Sequence, residues 1–371
     1  MRYIKSTIEE FTEFVIKNDK KIILFGAGAV CKTFIPYISN KYHLSKRIIY
    51  VIDNDPSKQD CFIDFNGNRV LVVNIEILRE CKEDYCVLIT NGEFYSVMTQ
   101  LDLIEECRYR CCFIAAYMQL DRQYDKSINR IFRDYGETKI PKIIHCCWFS
   151  GKPIPESLMK CIRTWKEKCP DYEIIQWDES NFDLCKYKYT KEAAELQKWG
   201  YIPDIVRLEK LYEIGGFYFD TDVEILKNLD ELRYQDAFCS RERVGHINFG
   251  GGSGSIPHNE IIKEILDFRK DIDFSLGNGK FNAEASGYFE TAILMKYGLE
   301  VEDKNQKLKG INIYASEFFS PYNYINGEDI RSENTFSIHH FRGSWLAAGD
   351  QLRKETREKY ESIKDRLEEL E

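Results

Sequence analysis

The sequence predicts an α/β protein with two strand–helix units in succession. The first is indicated between Lys21 and Pro56, where a buried strand, a glycine turn, a helix and a second strand ending in acids follow one another. The second begins at Ile140, with a buried strand, a helix over residues 156–168 and another strand at Tyr172–Trp177. A chain of 371 residues can hold a sizeable core in each of two domains.

These patterns divide the sequence into four predicted segments. They are a Rossmann-like parallel-sheet domain at 1–118, a helical connector at 119–139, a second α/β domain at 140–349 and a charged helix at 350–371. The first helix is predicted over residues 4–18, where Ser6 and Glu9 have capping-box spacing. The last segment is rich in Lys and Glu, which indicates a solvated cap or an oligomer contact.

Composition excludes several classes of protein. A net charge of −9 argues against wholesale nucleic-acid binding. We find no run of 18 apolar residues and no apolar signal core at the start of the sequence, so we expect a cytoplasmic protein. Thirteen cysteines without a Cys-x-x-Cys pair indicate reduced core residues rather than a zinc site.

The glycine turn of the first domain matches part of a dinucleotide-binding fingerprint. Gly26 and Gly28 lie between a strand and a helix, and Asp53 ends the next strand, at the position of a ribose-binding acid. Cys31 replaces the third glycine of the pattern. Two interpretations stay open, a second nucleotide site and a structural domain resembling those attached to bacterial sugar-modifying enzymes, and we favour the structural one.

The most informative stretch is residues 201–224. Its apolar spacing predicts a helix over 203–213, which Gly215-Gly216 ends because glycine adopts the left-handed conformation at little cost. A short aromatic strand, Phe217–Phe219, then leads to Asp220 and Asp222.

Two carboxylates at the end of an apolar strand predict a metal site. Residues two apart on a strand point to the same face, so Asp220 and Asp222 could reach one ion, and oxygen ligands suit Mg²⁺ or Mn²⁺. Asp204 and Arg207 lie three apart on the preceding helix, where Arg207 could contact a phosphate or form a plain ion pair. A solvated turn is the alternative for an isolated Asp-x-Asp.

An ordered set of motifs between residues 140 and 346 resembles Asp-x-Asp glycosyltransferases. More closely, it resembles the family of yeast initiating α-1,6-mannosyltransferases and bacterial capsular-polysaccharide sugar transferases, with the glucosylating domains of clostridial toxins as more distant relatives. The motifs are Ile140-Pro141-Lys142-Ile143-Ile144-His145, Trp148, Pro170-Asp171-Tyr172, Trp177-Asp178, Asp204-x-x-Arg207, Gly215-Gly216-x-Tyr218-x-Asp220-x-Asp222 and His339-His340-Phe341-Arg342-Gly343-Ser344-Trp345.

The resemblance implies a GT-A fold, a nucleotide-sugar donor, a divalent metal (usually manganese) and retention of anomeric configuration. By position, Asp222 resembles the direct metal ligand, Asp220 an acid near ribose, donor sugar or metal water, and Trp148 the aromatic that stacks on the base. The predicted catalytic residues are Asp204, Arg207, Asp220 and Asp222. The predicted metal ligands are Asp222, Asp220 and His340. The predicted donor-binding residues are Trp148, Ser150, Asp204, Arg207, Tyr218, Asp220, Asn248, Ser344 and Trp345.

Two further stretches are expected to face the substrates. The run from Asn248 to Gly254 is glycine-rich, which lets backbone approach a ligand closely, and we expect it to face the donor sugar or the acceptor. A flexible loop without a ligand is the alternative. Residues 283–287 begin a predicted helix and are expected near the acceptor.

The favoured hypothesis is a retaining, metal-dependent glycosyltransferase of cell-surface (capsular) polysaccharide synthesis in a bacterium. We favour a UDP-sugar over a GDP-sugar as donor, and a glycan or lipid-linked acceptor. Peripheral association with the inner membrane face and homo-oligomer formation are compatible with this hypothesis. The alternatives are a metal-dependent nucleotidyltransferase or phosphohydrolase, and a non-enzymatic nucleotide-sugar-binding protein.

Overall fold

The computed structural model describes residues 1–120, 130–133, 136–282, 286–343 and 349–370. The chain divides into two compact units, residues 1–124 with 358–371 and residues 125–357. This division differs from the predicted boundaries, because the end of the chain returns to the first unit. The predicted connector lies partly outside the described residues.

The regular elements are as follows. The strands are β1 Arg2–Lys5, β2 Lys21–Phe25, β3 Ile48–Ile52, β4 Phe62–Phe65, β5 Asn68–Val73, β6 Tyr85–Ile89, β7 Cys111–Ile114, β8 Ile143–Cys147, β9 Glu173–Trp177, β10 Gly216–Tyr218, β11 Val223–Ile225, β12 Ala237–Arg241, β13 Ile247–Ser255, β14 Ser275–Gly277, β15 Lys280–Phe281, β16 Gln306–Leu308, β17 Ile311–Tyr314, β18 Ser337–His339 and β19 Leu367–Glu369. The α-helices are α1 Ile8–Lys17, α2 Ala29–Lys32, α3 Phe34–Lys41, α4 Ile77–Glu80, α5 Phe94–Asp102, α6 Ala115–Leu120, α7 Glu156–Lys168, α8 Lys188–Glu195, α9 Pro203–Glu213, α10 Glu260–Lys270, α11 Ser286–Met295, α12 Ser316–Phe319 and α13 Gly349–Lys364. Within the described ranges, none of these helices has the length and apolar character needed to cross a bilayer.

The first unit contains a mostly parallel sheet with strand order β19-β1-β7-β6-β2-β3-β5-β4. Its described pairings are parallel except that of β4 with β5. The central strands β2 and β6 are apolar and almost wholly buried, as strands covered on both faces must be. The prediction of a mostly parallel α/β sheet in the first part of the chain is therefore confirmed.

The first helix begins later than the sequence predicts. The cap is Thr7, whose Oγ1 accepts from the Glu10 backbone N–H at 3.1 Å, while the Glu10 carboxylate accepts from the Thr7 N–H at 2.7 Å. The prediction of Ser6 and Glu9 is wrong by one residue. Residues 2–5 instead pair with β7, a long-range contact that local helix periodicity does not reveal.

The C-terminal segment is also more than the predicted solvated helix. After α13, the strand β19 pairs in parallel with β1, Leu367 lying opposite Tyr3. Tyr360 and Ile363 are buried, and the Tyr360 ring stacks on Tyr117 with the ring centroids 4.5 Å apart. The few apolar residues of this charged segment thus complete the first unit.

The second unit contains a mixed sheet with strand order β16-β17-β12-β13-β10-β8-β9. The strands β9, β8 and β10 run parallel, whereas β13 is antiparallel to β10. Carboxyl ends of parallel strands meet at one edge of a sheet. Trp148 after β8, Asp178 after β9 and Asp220 after β10 therefore lie at the same edge.

Gly215 and Gly216 set the path from α9 into β10. Both have positive φ values, 74° and 100°, and a Cβ on Gly216 would stand 2.7 Å from the Ile143 carbonyl oxygen.

His145 of β8 holds the Gly215 carbonyl. Burial lowers the pKa of His145 to about 4, so its imidazole is neutral. Its Nδ1 accepts from the Trp177 indole at 3.2 Å, which leaves Nε2 to donate to the Gly215 carbonyl at 2.8 Å.

The glycine-rich run is a strand rather than the flexible loop that the sequence left open as an alternative. It forms β13, which is buried along most of its length between β10 and β12. A Cβ on Gly252 would stand 2.5 Å from the Phe319 ring, and one on Gly254 would stand 2.5 Å from the Phe238 ring. Gly252 and Gly254 therefore make room for aromatic side chains, and the approach of the run to a ligand stays a prediction.

Candidate active site

Asp220 and Asp222 lie between β10 and β11, where the chain leaves the main sheet. The Asp220 backbone N–H donates to the Gly250 carbonyl of β13 at 2.8 Å, which fixes the turn. The Asp220 side chain is 31% exposed and that of Asp222 is 11% exposed. One carboxylate is thus open to solvent while the other is nearly buried.

Asp222 is held as a carboxylate. Its Oδ1 lies 3.2 Å from His339 Nε2, and its Oδ2 accepts from the Arg342 backbone N–H at 2.8 Å. Burial opposes ionisation, but the His339 charge and these hydrogen bonds lower the pKa of Asp222 to about 2. The same contact raises the pKa of His339 against the effect of its burial.

Three side chains form a potential cation site. Asp220, Asp222 and His339 each offer a ligand atom, and these atoms lie within 4.8 Å of one another. Two carboxylate oxygens and an imidazole nitrogen are a donor set suited to divalent cations. The two aspartates match the prediction, and the arrangement fits a single bound divalent ion.

The histidine in this cluster is His339, so the sequence-based choice of His340 is corrected. His339 ends β18 opposite Val223 of β11, with its imidazole beside Asp222. His340 Nε2 lies instead 3.0 Å from the Glu224 carboxylate. Successive residues of an extended chain point to opposite sides, so only one of the adjacent histidines faces the aspartates.

We expect His339→Ala to weaken Mn²⁺ binding about 10- to 100-fold, the usual cost of losing a group that holds or orients a metal ligand. His340→Ala is the matched control, and its loss of a partly exposed contact with Glu224 should change Mn²⁺ affinity by less than about 3-fold. Calorimetric titration with MnCl₂ measures both. Equal weakening by the two substitutions would refute the assignment to His339.

Arg207 carries positive charge to the edge of the cluster. Its Nη1 lies 3.9 Å from Asp220 Oδ2, and its Nη2 donates to Asp204 Oδ1. The Tyr218 hydroxyl donates to Asp220 Oδ1 at 2.9 Å. Four of the residues predicted to bind the donor, Asp204, Arg207, Tyr218 and Asp220, are thus brought together.

A surface cavity of about 660 Å³ lies beyond the ends of β8 and β9. Trp148 lines it, with its indole N–H donating to the Lys152 carbonyl at 2.6 Å. Ser150 lines it too, and its backbone N–H donates to Glu179 at 2.5 Å. Trp199 is a second aromatic that the sequence analysis missed. The size and aromatic lining suit a planar ring such as a nucleobase.

Asn248 lies behind the cluster. Its Nδ2 is 3.1 Å from His339 Nδ1 and also 3.1 Å from Glu242 Oε1, while its Oδ1 accepts from the Gly251 N–H at 2.9 Å. Burial raises the pKa of Glu242. Asn248, predicted to bind the donor, therefore orients the histidine of the cluster in this structure.

In the first unit, Asp53, the acid of the predicted dinucleotide fingerprint, accepts hydrogen bonds from nearby backbone N–H groups. Asp53 Oδ2 accepts from the Ala27 N–H at 2.8 Å, and its Oδ1 accepts from the Asp55 N–H at 2.9 Å. Gly26 packs closely against Asn91, whereas a Cβ on Gly28 would meet no atom within 4 Å. These contacts give Asp53 a structural role, and nucleotide binding there stays a prediction.

Some predicted residues lie outside the part of the chain that the structure describes. They are Ser344 and Trp345 of the predicted closing segment, and residues 283–285 of the predicted acceptor region. Two charged residues near Arg207, namely Arg269 and Glu290, were not predicted at all. They lie on α10 and α11, and no motif distinguishes them from ordinary helix residues.

The fold and the site together define an α/β protein with an Asp-x-Asp cluster and an aromatic-lined cavity at the same edge of a mixed sheet. Residues 155–239, which include both aspartates, match the family described as "Glycosyltransferase sugar-binding region containing DXD motif". The chain is 31% identical over 136 residues to inositol phosphoceramide mannosyltransferase 2 of Schizosaccharomyces pombe, with 35% of this chain and 39% of that protein covered. It is 34% identical over 113 residues to mannosyltransferase 3 of the same series and organism, with 29% and 32% covered.

The chain thus covers well under half the length of these curated relatives. Among solved structures, it is similar to PaToxG glycosyltransferase (TM-score 0.33, 21% identity, 43% of this chain and 71% of that one). It is also similar to a glycosyltransferase involved in glycosylation of the major capsid of PBCV-1 (TM-score 0.31, 11% identity, 60% and 100%). These TM-scores are too low to assign the fold. The sequence matches confirm the predicted resemblance to Asp-x-Asp glycosyltransferases.

Proposed function

We propose that this chain is a metal-dependent glycosyltransferase, which moves a sugar from a nucleoside-diphosphate donor to a glycan or lipid-linked acceptor. One observation carries the proposal. The Asp-x-Asp pair lies inside the segment that matches the glycosyltransferase sugar-binding family, and it forms a cation cluster with His339. A GT-A fold for the second unit is part of the same proposal.

The chemistry follows from where charge develops. Cleavage of the bond between sugar and diphosphate leaves negative charge on phosphate oxygens, and a divalent cation in the cluster would stabilise that charge as a Lewis acid. Asp222 and His339 would hold the cation, with Asp220 facing solvent beside them. Arg207 adds a fixed positive charge at the same edge. Trp148 supplies a stacking surface for the base.

We further propose retention of anomeric configuration and a Mn²⁺ or Mg²⁺ cofactor, both on the resemblance set out from the sequence. The departing phosphate can itself accept the acceptor's proton, so this route needs no separate general base. The names of the yeast relatives favour mannose as the transferred sugar. Uridine remains our favoured base, with guanosine as the alternative. Synthesis of a cell-surface glycan in the cytoplasm is the corresponding cellular role.

Slow transfer of the sugar to water tests this proposal without knowledge of the acceptor. The protein is incubated with UDP-glucose or GDP-mannose and MnCl₂, and the products are separated. We expect nucleoside diphosphate and free sugar, with turnover abolished by EDTA. Nucleoside monophosphate and sugar phosphate would instead support the phosphohydrolase hypothesis. Tight donor binding without turnover, unaffected by EDTA, would support a non-enzymatic sensor.

A further inference from the structure

Arg207 and four other side chains close a ring of polar contacts, which we call the buried ring. Arg207 Nη2 lies 3.3 Å from Ser286 Oγ, and Ser286 Oγ lies 3.2 Å from Glu290 Oε2. Glu290 Oε1 lies 3.8 Å from Arg269 Nε, and Arg269 Nη2 donates to Asp204 Oδ2 at 3.0 Å. The contact of Asp204 with Arg207 closes the ring.

The buried ring connects three helices and is shielded from water. Asp204 and Arg207 lie on α9, Arg269 on α10, and Ser286 with Glu290 on α11. The side chains of Arg269 and Glu290 are 0% exposed, and those of Asp204 and Arg207 are 6% exposed. Because these charged side chains are shielded from water, their contacts with one another fix their positions.

Asp204 is the anion that Arg269 holds most directly. Burial raises the pKa of Glu290 to about 7, against the opposing charges of Arg269 and Arg207, so Glu290 neutralises Arg269 incompletely at neutral pH. Each Asp204 oxygen faces one guanidinium, Oδ1 that of Arg207 and Oδ2 that of Arg269. An aspartate bracketed in this way has little freedom to rotate.

Aromatic rings fix Arg269 itself. The guanidinium carbon lies 4.4 Å from the Phe289 ring centroid and 5.3 Å from that of Tyr189, within the range of cation–π attraction. Among the described residues, its Nε and Nη1 have no hydrogen-bond partner. A buried, incompletely satisfied charge contributes poorly to stability, since its desolvation cost can exceed its electrostatic gain. The presence of Arg269 therefore points to a role in the site.

From this ring of contacts we infer that Arg269 is a positioning residue: it holds Asp204, and through Asp204 it fixes Arg207 beside Asp220 for the transfer reaction. The inference rests on the proposed function. Small displacements of a group that contacts a reacting substrate cost large factors in rate. Arg269 itself has no exposed surface, so it acts through its neighbours, chiefly through Asp204.

A double-mutant cycle on donor turnover tests this inference. UDP-glucose and GDP-mannose serve as probes with MnCl₂, and kcat and KM are measured for each variant. We expect Arg269→Gln to lower kcat/KM about 30- to 100-fold, mostly through kcat. In an Asp204→Asn background the same change should cost less than about 3-fold, because the link is already broken. Arg269→Lys, which keeps the charge, should recover part of the loss.

The matched control is Arg243→Gln, which removes another buried arginine, one paired with Asp303 and Glu328. It should lower Tm as much as Arg269→Gln does and leave kcat/KM within about 3-fold. Additive losses at Asp204 and Arg269, or an equal loss at Arg243, would overturn the inference while leaving the proposed function intact. If Arg269→Gln does not fold, the double-mutant cycle is measured with Arg269→Lys and Asp204→Asn instead. Absence of sugar release by the wild type with either probe would overturn both.

Discussion

Asp222→Asn is expected to lower donor turnover by about 10³-fold, equivalent to about 4 kcal/mol of transition-state stabilisation. The amide keeps the shape of the side chain but removes the negative charge that draws a cation into the cluster. It also removes the ionic partner of His339, whose Nε2 lies 3.2 Å from Asp222. Release of nucleoside diphosphate from UDP-glucose and GDP-mannose, with calorimetric titration of Mn²⁺, measures the effect.

Glu224→Gln provides the control for that experiment. Glu224 lies on β11, two residues after Asp222; it is partly exposed and contacts His340 rather than the cluster. Its substitution should leave Mn²⁺ affinity and turnover within about 3-fold of the wild type. Retention of Mn²⁺-dependent turnover by Asp222→Asn would show that the cation binds elsewhere.

Gly250→Ala is expected to lower kcat about 10²-fold with little change in Tm. A Cβ at this position would stand 2.0 Å from Asp220 Oδ2 and 2.7 Å from Arg207 Nη1. Both atoms are the ends of flexible side chains, so the fold can adapt while the two charged groups move. Thermal unfolding and steady-state turnover separate these effects.

Gly254→Ala on the same strand gives the opposite pattern. Its Cβ would stand 2.5 Å from the Phe238 ring, away from the charged groups, so Tm should fall while kcat/KM of the folded protein is kept. Wild-type turnover by Gly250→Ala would mean that the observed placement of Asp220 and Arg207 is not needed for the reaction.

The part of the site that the sequence could predict is the part encoded locally. The Gly215-Gly216 stop, the aromatic strand and the Asp-x-Asp spacing all lie within one short stretch, and their resemblance to a known family predicts Asp222 as a metal ligand. The choice between His339 and His340 could not be made this way. It depends on which face of β18 is turned toward β11, and that is set by strand pairing far apart in sequence.

Arg269 and Glu290 of the buried ring had no sequence signal for the same reason. Asp204 and Glu290 are 86 positions apart in the printed sequence, and both Arg269 and Glu290 fall on helices where charged residues are ordinary. The glycine-rich strand β13 is a further case. Its glycines left a flexible loop open as an alternative, but large rings from β12 and α12 occupy the space that the missing side chains of Gly252 and Gly254 leave.

The pairing of β1 with β19 has a consequence for synthesis of the chain. During synthesis β1 is made before the second unit, but its neighbour at residues 367–369 emerges only after the whole second unit has been made. Until then the outer edge of β1 carries unpaired backbone groups, which is the kind of edge that promotes mispairing between nascent chains. The sheet of the first unit is therefore completed only after the second unit has been synthesised.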